Sequence, residues 1–518
     1  MTDIVCVAPP FRYKKLDTAA PICPHLGISS CAAVWREAGY AVRILDVLAQ
    51  NLVWEDIRKV LVAEQPKVLA MTSVTASFPT ALDILQKAKA LAPEIITILG
   101  GPHVTNMPET ANHDCIDYVI INEGEDSGLE LVNVLLRGQG TLEKIGGIGF
   151  KQGGRLVLTP PRPFIADLDR LPFLPYDLLP MGQYKNYATL DDGRPFFSYM
   201  TTRGCPFHCI FCDSAEVFGH KYRQMGVERV INELRFMYYR YGIRHVYFQD
   251  DEFTINRRRV DQFCDAMLAT KMDLRWGGLA RVSDLADGGE AFVEKMARAG
   301  CRELAFGTEV GYQEGLDQIK KKITLAQTRE AMRLCRKYNI LSSASFTMGY
   351  PWEKPEHIQQ TIRFAKSIDA DIYYFQVLIP YPGTELYRMA KEEGLIVRND
   401  WSDYIQHSIA GSEPVVRTRY MTNEELKYWN ARCFLEVYFD PRYLARKLFR
   451  SRGATHLTRN VESGLGLLRN CLVRIWETRF GRAAELPGLA DPESRQAAPS
   501  PVLPSPARPA VFPLTPVH

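Results

Sequence analysis

Thr202-Arg203-Gly204-Cys205-Pro206-Phe207-His208-Cys209-Ile210-Phe211-Cys212 sets three thiols at spacings of four and three on a short stretch of chain. Thiolates are the usual ligands of iron–sulfur clusters, and three of them can wrap a compact loop around one 4Fe-4S cubane. The fourth iron then stays free, which is what a small chelating substrate requires. A zinc site is the alternative, and it would want a fourth ligand to close a tetrahedron; His208 and His220 are the nearby candidates. Against zinc stands the position of the run, directly after the strand-like FFSYMTT, so that the cysteines lie on a loop leaving the carboxyl end of a strand.

Downstream, the alternation continues. RHVYFQD, LRWGGLA, ELAFGTE, LSSASFTMG and DIYYFQVLI read as further strands separated by helical patterns. With FFSYMTT they make six βα units, an incomplete TIM-type barrel whose chemistry belongs on the loops at the carboxyl ends of the strands. Upstream, DIVCVAPP, AVRILDV, KVLAMTSV, IITILGG and DYVIIN read as buried parallel strands with amphipathic segments between them. That is a doubly wound, flavodoxin- or Rossmann-like α/β domain, which places its ligands at strand ends such as Gly100-Gly101-Pro102-His103 and Glu123-Gly124-Glu125. The expected organisation is therefore α/β throughout. An open-sheet domain spans 1–140, a connector 141–195, a partial (β/α)6 barrel 196–400 and a helical region 401–480. A Pro-, Ala- and Ser-rich tail over 481–518 reads as disordered.

Composition sets the outer limits. The chain has 518 residues, 46% of them hydrophobic and 24% charged, with a formal net charge of +3, so no strong polyanion-binding bias follows and nucleic acid is not expected as a partner. No uncharged apolar run reaches the length of a membrane span, and MTDIVCVAPPF does not read as a signal peptide, so a cytoplasmic location is expected. Twelve cysteines in a chain of this size suggest reduced thiols and a metal site rather than a disulfide framework. Cys23, Cys31 and Cys301 read as small buried thiols. The basic stretch with Arg442, Arg446, Lys447 and Arg450 reads as a solvated face, with peripheral contact to lipid headgroups as the alternative.

Residues 196 to about 390 resemble the radical S-adenosylmethionine superfamily, and three further segments carry that resemblance. Gln249-Asp250-Asp251-Glu252-Phe253 stands where the family binds the methionine amino group, in a more acidic form than the common Gly-Gly-Glu. Gly307-Thr308-Glu309-Val310-Gly311 is similar to the ribose-contacting motif, and Met348-Gly349-Tyr350-Pro351-Trp352-Glu353 to the motif whose backbone reads adenine. Arg281 is a candidate to neutralise the methionine carboxylate. The resemblance implies Cys205, Cys209 and Cys212 as ligands of a 4Fe-4S cluster. It implies Asp250, Asp251, Glu252, Arg281, Glu309 and Gly349 around S-adenosylmethionine, and reductive cleavage of that cofactor to a 5'-deoxyadenosyl radical.

The domain ahead of the barrel resembles the cobalamin-binding domain of the cobalamin-dependent branch, with Gly100, Gly101, Pro102 and His103 as its best local match. The Asp-x-His-x-x-Gly pattern that gives cobalt a lower histidine is missing, since only Pro24-His25-Leu26-Gly27 stands there, so no cobalt ligand is assigned. The cofactors implied together suggest methyl transfer to an unactivated carbon of a small molecule, served by a reducing protein such as a flavodoxin or ferredoxin. The group that contains the anaerobic magnesium-protoporphyrin monomethyl ester cyclase is similar in flavour. Oxidative ring formation on a tetrapyrrole or lipid-like substrate is therefore the second expectation, and a non-catalytic corrinoid sensor the third. Methylthiotransferases are disfavoured, because the extra amino-terminal cluster cysteines and a carboxyl-terminal β-barrel are not seen.

Overall fold

The computed structural model describes residues 2–10, 21–187, 190, 193–405, 413–450 and 454–480, with no side-chain description for 448–450, 454–463 and 479–480. The tail over 481–518, expected to be disordered, lies outside the described residues.

The first sheet contains the parallel strands β1 (Ile4–Ala8), β2 (Val42–Asp46), β3 (Val68–Thr72), β4 (Ile96–Gly100) and β5 (Tyr118–Ile120). It continues through the antiparallel β6 (Ile148–Gln152) and β7 (Arg155–Leu158), in the order β2-β1-β3-β4-β5-β6-β7. The parallel part has the flavodoxin-like strand order. Between the strands run α1 (Leu26–Glu37), α2 (Trp54–Glu64), α3 (Phe78–Leu91), a short α4 (Pro102–Asn106) and α5 (Gly124–Arg137). Alternation along β1 decides the two faces. Ile4, Cys6 and Ala8 join a core that includes α1 and runs on into the barrel, whereas Val5 and Val7 join a second core under α2 and α3. The connector expected over 141–195 is corrected in part. Residues 148–158 extend the first sheet as a hairpin, turned by Gly153 and Gly154, both at positive φ.

The second unit begins with β8 (Phe196–Tyr199), then β9 (Thr202–Arg203), α6 (Ser214–Phe218), β10 (Arg223–Gln224) and α7 (Val227–Tyr241). It continues with β11 (His245–Phe248), α8 (Arg257–Thr270), β12 (Arg275–Leu279), α9 (Val282–Arg298), β13 (Cys301–Glu309), α10 (Gln313–Gln318) and α11 (Leu325–Lys337). β14 (Leu341–Met348), α12 (Pro355–Ile368) and β15 (Ile372–Val377) complete an open six-stranded parallel sheet, β15-β14-β13-β12-β11-β8. Phe248, Trp276, Phe346 and Phe375 point outward to the helices and pack on one another's neighbours, for example Phe248 on Phe253 at 4.5 Å and Phe346 on Phe375 at 5.5 Å. The alternate positions carry Tyr247, Gly277, Gly307, Ser345, Thr347 and Tyr374, a lining of small and hydroxyl-bearing side chains. A mouth lined this way is shaped for a ligand rather than for core packing.

After α13 (Glu385–Glu392), α14 (Asn423–Tyr438) closes the outer face of β15, followed by α15 (Pro441–Arg450) and α16 (Ala454–Phe480). Asn430 Nδ2 donates to the Phe375 carbonyl at 2.8 Å and Phe434 meets the Phe375 ring at 5.2 Å. Arg446 of α15 pairs with Asp369 and donates to the Ala370 carbonyl at 3.1 Å, so it fastens this helix to the barrel instead of facing solvent. Among the described residues no helix is long and apolar enough to cross a membrane.

Candidate active site

The cysteines lie on an excursion of the chain that leaves the sheet at β9 and returns at β10. Its two arms approach so closely at Gly204, φ +85°, that a Cβ there would stand 2.4 Å from the Lys221 carbonyl oxygen, and the Cys205 N–H donates to the Gly219 carbonyl at 3.2 Å. Asp250 holds the start of the excursion. It accepts from the Thr201 N–H at 2.5 Å, the Thr201 hydroxyl at 2.6 Å and the Thr202 N–H at 2.9 Å. Asp250 was expected to touch S-adenosylmethionine; with its oxygens engaged on Thr201 and Thr202 and its side chain fully buried, it instead positions the loop.

Cys209 stands between Cys205 and Cys212, close enough to raise the pKa of each. Burial is the larger cause in both cases, pushing Cys205 up to about 11 and Cys212 higher still. Cys209 is also raised by burial, and Lys321 pulls it back. Among the described residues no three of His, Cys, Asp and Glu converge as ligands of a single ion would. Thiols that grip three different corners of a cubane stand further apart than the ligands of one ion. His208 and His220, the candidate fourth zinc ligands, stack on each other with 4.1 Å between ring centroids.

Around the thiols the structure gathers Glu252, Arg281, Glu309 and Lys321. Glu252 Oε2 is shut off from solvent without a hydrogen-bond partner. Burial raises this carboxyl to about 7 even though Lys321 and Arg281 pull it down. Asp251, beside it, accepts from the Ser214 hydroxyl at 2.5 Å. Glu309 ends β13 in the left-handed region, φ +59°, where a bulge between Gly307 and Glu309 breaks the pairing with β14 and re-aims the side chain. Its Oε1 lies 2.9 Å from Lys321 Nζ and its Oε2 accepts from the Thr347 hydroxyl at 3.3 Å. Lys321 is only 9% exposed; burial opposes its charge, but Glu309, Cys209 and Glu252 outweigh burial and raise its pKa. Arg281 lies 3.7 Å over the Phe207 ring in the cysteine loop and donates to the carbonyls of Lys321 and Lys322, so its fork ties two loops together.

Gly349 is placed differently from the expectation of a backbone that reads adenine. Its N–H donates to Glu353 Oε2 at 2.6 Å, and the Tyr350 N–H donates to the same atom at 3.1 Å. This segment leaves open the Tyr350 hydroxyl, buried without a partner, with its ring edge-on to Phe211 of the cysteine loop at 6.3 Å.

In the first domain, Gly101 is required by the fold itself. At φ +101° its Cβ would stand 2.6 Å from the Ser73 carbonyl oxygen and 2.7 Å from Thr72 Oγ1, so this glycine allows β4 to turn against the end of β3. Gly100 ends β4 with ordinary clearance to Ile120, and Pro102 opens α4. His103 is corrected: it is 0% exposed, between Phe78 at 4.2 Å and Trp401 at 5.3 Å. Its Nδ1 meets Thr75 Oγ1 at 3.3 Å and its Nε2 meets Thr110 Oγ1 at 3.1 Å. Burial lowers its pKa to about 4, so it is a neutral core histidine with both nitrogens occupied. The open polar atom at this edge is Ser73 Oγ, buried and unpartnered at the carboxyl end of β3.

The sequence places Ser73 in a strand-end loop, Thr72-Ser73-Val74-Thr75, where a ligand is expected, but gives no sign of Lys321. Lys320-Lys321-Lys322 reads as a solvated charge run, and only the fold separates the exposed Lys320, paired with Glu385, from the buried Lys321.

A doubly wound domain packed through its α1 face on an open barrel, and a three-thiol loop beside an unpaired carboxylate and a buried lysine, define an enzyme built to hold an iron–sulfur cluster next to a bound small molecule. Residues 16–132 match the B12 binding domain family and residues 199–365 the Radical SAM superfamily. An uncharacterized methyltransferase of Pyrococcus horikoshii is 34% identical over 456 residues, covering 87% of this chain and 95% of that protein. The anaerobic magnesium-protoporphyrin IX monomethyl ester cyclase of Cereibacter sphaeroides is 27% identical, covering 82% and 68%. The radical S-adenosylmethionine methyltransferase TsrM from Kitasatospora setae, solved with tryptophan substrate and a SAM analog, shares the fold at a TM-score of 0.64 and 19% identity, covering 85% of this chain and 90% of that one. The chain belongs to the radical SAM superfamily, in the branch that carries an amino-terminal B12-binding domain.

Proposed function

We propose that this protein is a cobalamin-dependent radical S-adenosylmethionine methyltransferase acting on an unactivated carbon of a small molecule. The observation that carries the reading is the meeting at one barrel mouth of the cysteine loop, the unpartnered Glu252 Oε2 and the Lys321–Glu309 pair. The donor set fits: soft thiols for iron, an orphaned carboxylate for an ammonium group, and a cation for a carboxylate. When bound, the cluster and the two organic cofactors supply reductive cleavage of S-adenosylmethionine to a carbon-centred radical and a methyl group for transfer.

The chain's own residues bind and orient. Cys205, Cys209 and Cys212 hold the cluster. Glu252 accepts from the methionine amino group, Lys321 faces its carboxylate, and Glu309 accepts from ribose hydroxyls. Arg281 shapes this pocket through Phe207 and the carbonyls of Lys321 and Lys322. The Tyr350 hydroxyl is the open group for the base. Ser73 Oγ, on the B12-binding domain, is an open partner for the corrinoid.

Oxidative ring formation is the second reading, favoured by the 27% identity to a cyclase over most of the chain. Anaerobic reconstitution with iron, sulfide and hydroxocobalamin, followed by reduction with S-adenosylmethionine, tests both. About four irons and one cobalt per chain with 5'-deoxyadenosine released supports the two-cofactor enzyme. Release of S-adenosylhomocysteine as well separates methyl transfer from ring formation, and zinc in place of iron overturns the reading.

A further inference from the structure

The loop that carries all three cysteines leaves the barrel at Arg203 and returns at Arg223, and these two arginines are register partners in the β9–β10 ribbon. Both reach out of the barrel into the B12-binding domain. Arg203 Nη1 lies 2.9 Å from Glu123 Oε1 and its Nη2 lies 2.6 Å from Glu125 Oε1. Arg223 Nη1 donates to both Glu123 oxygens, at 2.7 and 2.9 Å, and to the Ile165 carbonyl at 2.7 Å. The carboxylates gain one further donor each, the Ile165 N–H to Glu123 at 2.6 Å and the Ser30 hydroxyl to Glu125 at 2.6 Å, and Arg223 Nη2 donates to the Phe218 carbonyl at 2.7 Å, while Arg223 Nε is buried without a partner. All four charged side chains are buried. A third tie comes from Asn122, whose Nδ2 donates to the carbonyls of Glu216 and Val217, within the cysteine excursion, at 2.7 and 3.0 Å.

Two features make this more than a generic interface. The carboxylates stand at the carboxyl end of β5, the ligand edge of the first sheet, and the arginines are the two feet of the loop that holds the metal ligands. Moreover, an apolar contact could fasten two domains and still let them slide, whereas guanidinium forks on fixed carboxylates define direction as well as distance. A buried ion pair is a poor source of net stability, which leaves geometry as the gain.

We propose that Glu123 and Glu125 are positioning residues that register the cysteine loop against the B12-binding domain, so that the distance between the two cofactors is set by this four-residue lock. The inference rests on the two-cofactor reading above. It acts through Arg203 and Arg223, and neither carboxylate touches the reacting atoms.

The test uses the full chain loaded with cluster and cobalamin. Pulsed dipolar EPR between cob(II)alamin and the reduced cluster reads the separation directly, with iron and cobalt contents measured on the same samples. The expected result is a narrow distance distribution in the unaltered protein and loss of that narrowness in Glu123→Gln/Glu125→Gln, with both metals still bound. Asn122→Ala, which removes an exposed side of the contact and leaves the buried charges paired, should broaden the distribution to a smaller degree. An unchanged distribution in the doubly altered, fully loaded protein overturns the proposal. Should the double variant fail to fold, Glu125→Gln, which weakens only the Arg203 arm, decides: broadening supports the lock and no change rejects it. An unaltered chain that takes up iron and no cobalt rejects the two-cofactor reading itself, an outcome distinct from intact loading with unchanged distances.

Discussion

Glu252 and Glu353 both hold their protons to about pH 7 because burial penalises the charged form, yet only Glu252 lacks a partner. Glu353 is enclosed by the Gly349 N–H, the Tyr312 hydroxyl at 3.0 Å and the Tyr350 N–H, which offset part of its burial. Its folded-state pKa lies above the ordinary 4.5, so between about pH 4.5 and 7 the native chain binds a proton that the unfolded chain has released. Stability falls as pH rises through that window, by on the order of 3 kcal/mol from this group. Glu353→Gln should flatten the difference between denaturant midpoints of the metal-free chain at pH 5 and pH 7.5. For the thiols, Cys205→Ala, Cys209→Ala and Cys212→Ala should each abolish iron uptake, whereas Cys264→Ala, in the outer helix α8, should retain it; iron analysis after reconstitution reads both. His103→Gln keeps hydrogen-bonding groups for Thr75 and Thr110, and the corrinoid absorbance spectrum should be unchanged because the imidazole nitrogens are already used. A spectrum that shifts on that substitution would restore His103 as a cobalt neighbour.

At the scale of elements, α14 shows how an outer helix governs the barrel mouth. Thr422 and Glu425 close its first turn reciprocally, the Thr422 N–H donating to the Glu425 carboxylate at 2.7 Å and the Glu425 N–H to the Thr422 hydroxyl at 3.2 Å. The helix then lays Phe434 on Phe375 and Leu426 beside Gly349. Phe434→Ala should cost about 3–5 kcal/mol in chemical denaturation, the usual range for a buried phenylalanine. β1 through β5 were legible because parallel strands buried on both faces are near-continuous apolar runs, whereas the barrel strands, such as RWGGL in β12 and LSSASFTM in β14, were legible as short runs set between helical patterns. The β6–β7 hairpin is harder to see in sequence: Gly153-Gly154 between apolar stretches is a turn signal, but Pro160, Pro161 and Pro163 just beyond it mask the strand pattern. The cysteine loop was legible from spacing alone. Asp250, Arg281 and His103 were not, since local sequence does not say whether a polar side chain faces a ligand or the backbone of its own loop.

At the scale of the molecule, the larger of two cores joins the α1 face of the first sheet to the barrel and to α14. A chain ending at residue 400 would lay Tyr373 and Phe375 bare, so it should be recovered in inclusion bodies or be cut rapidly by protease, whereas the full chain resists; equal resistance would show that α14 is dispensable. The lock between the domains also orders events in time. Glu123 emerges from the ribosome 80 residues ahead of Arg203 and 100 ahead of Arg223. Domains fold as units during synthesis, the amino-terminal one first. The carboxylates are therefore in place on a finished scaffold before the cysteines exist, and the loop takes its shape against that scaffold. Cluster delivery then becomes a late step of biogenesis, gated by completion of the domain that precedes it, and an amino-terminal lesion far from Cys205, Cys209 and Cys212 should surface as a failure to mature iron.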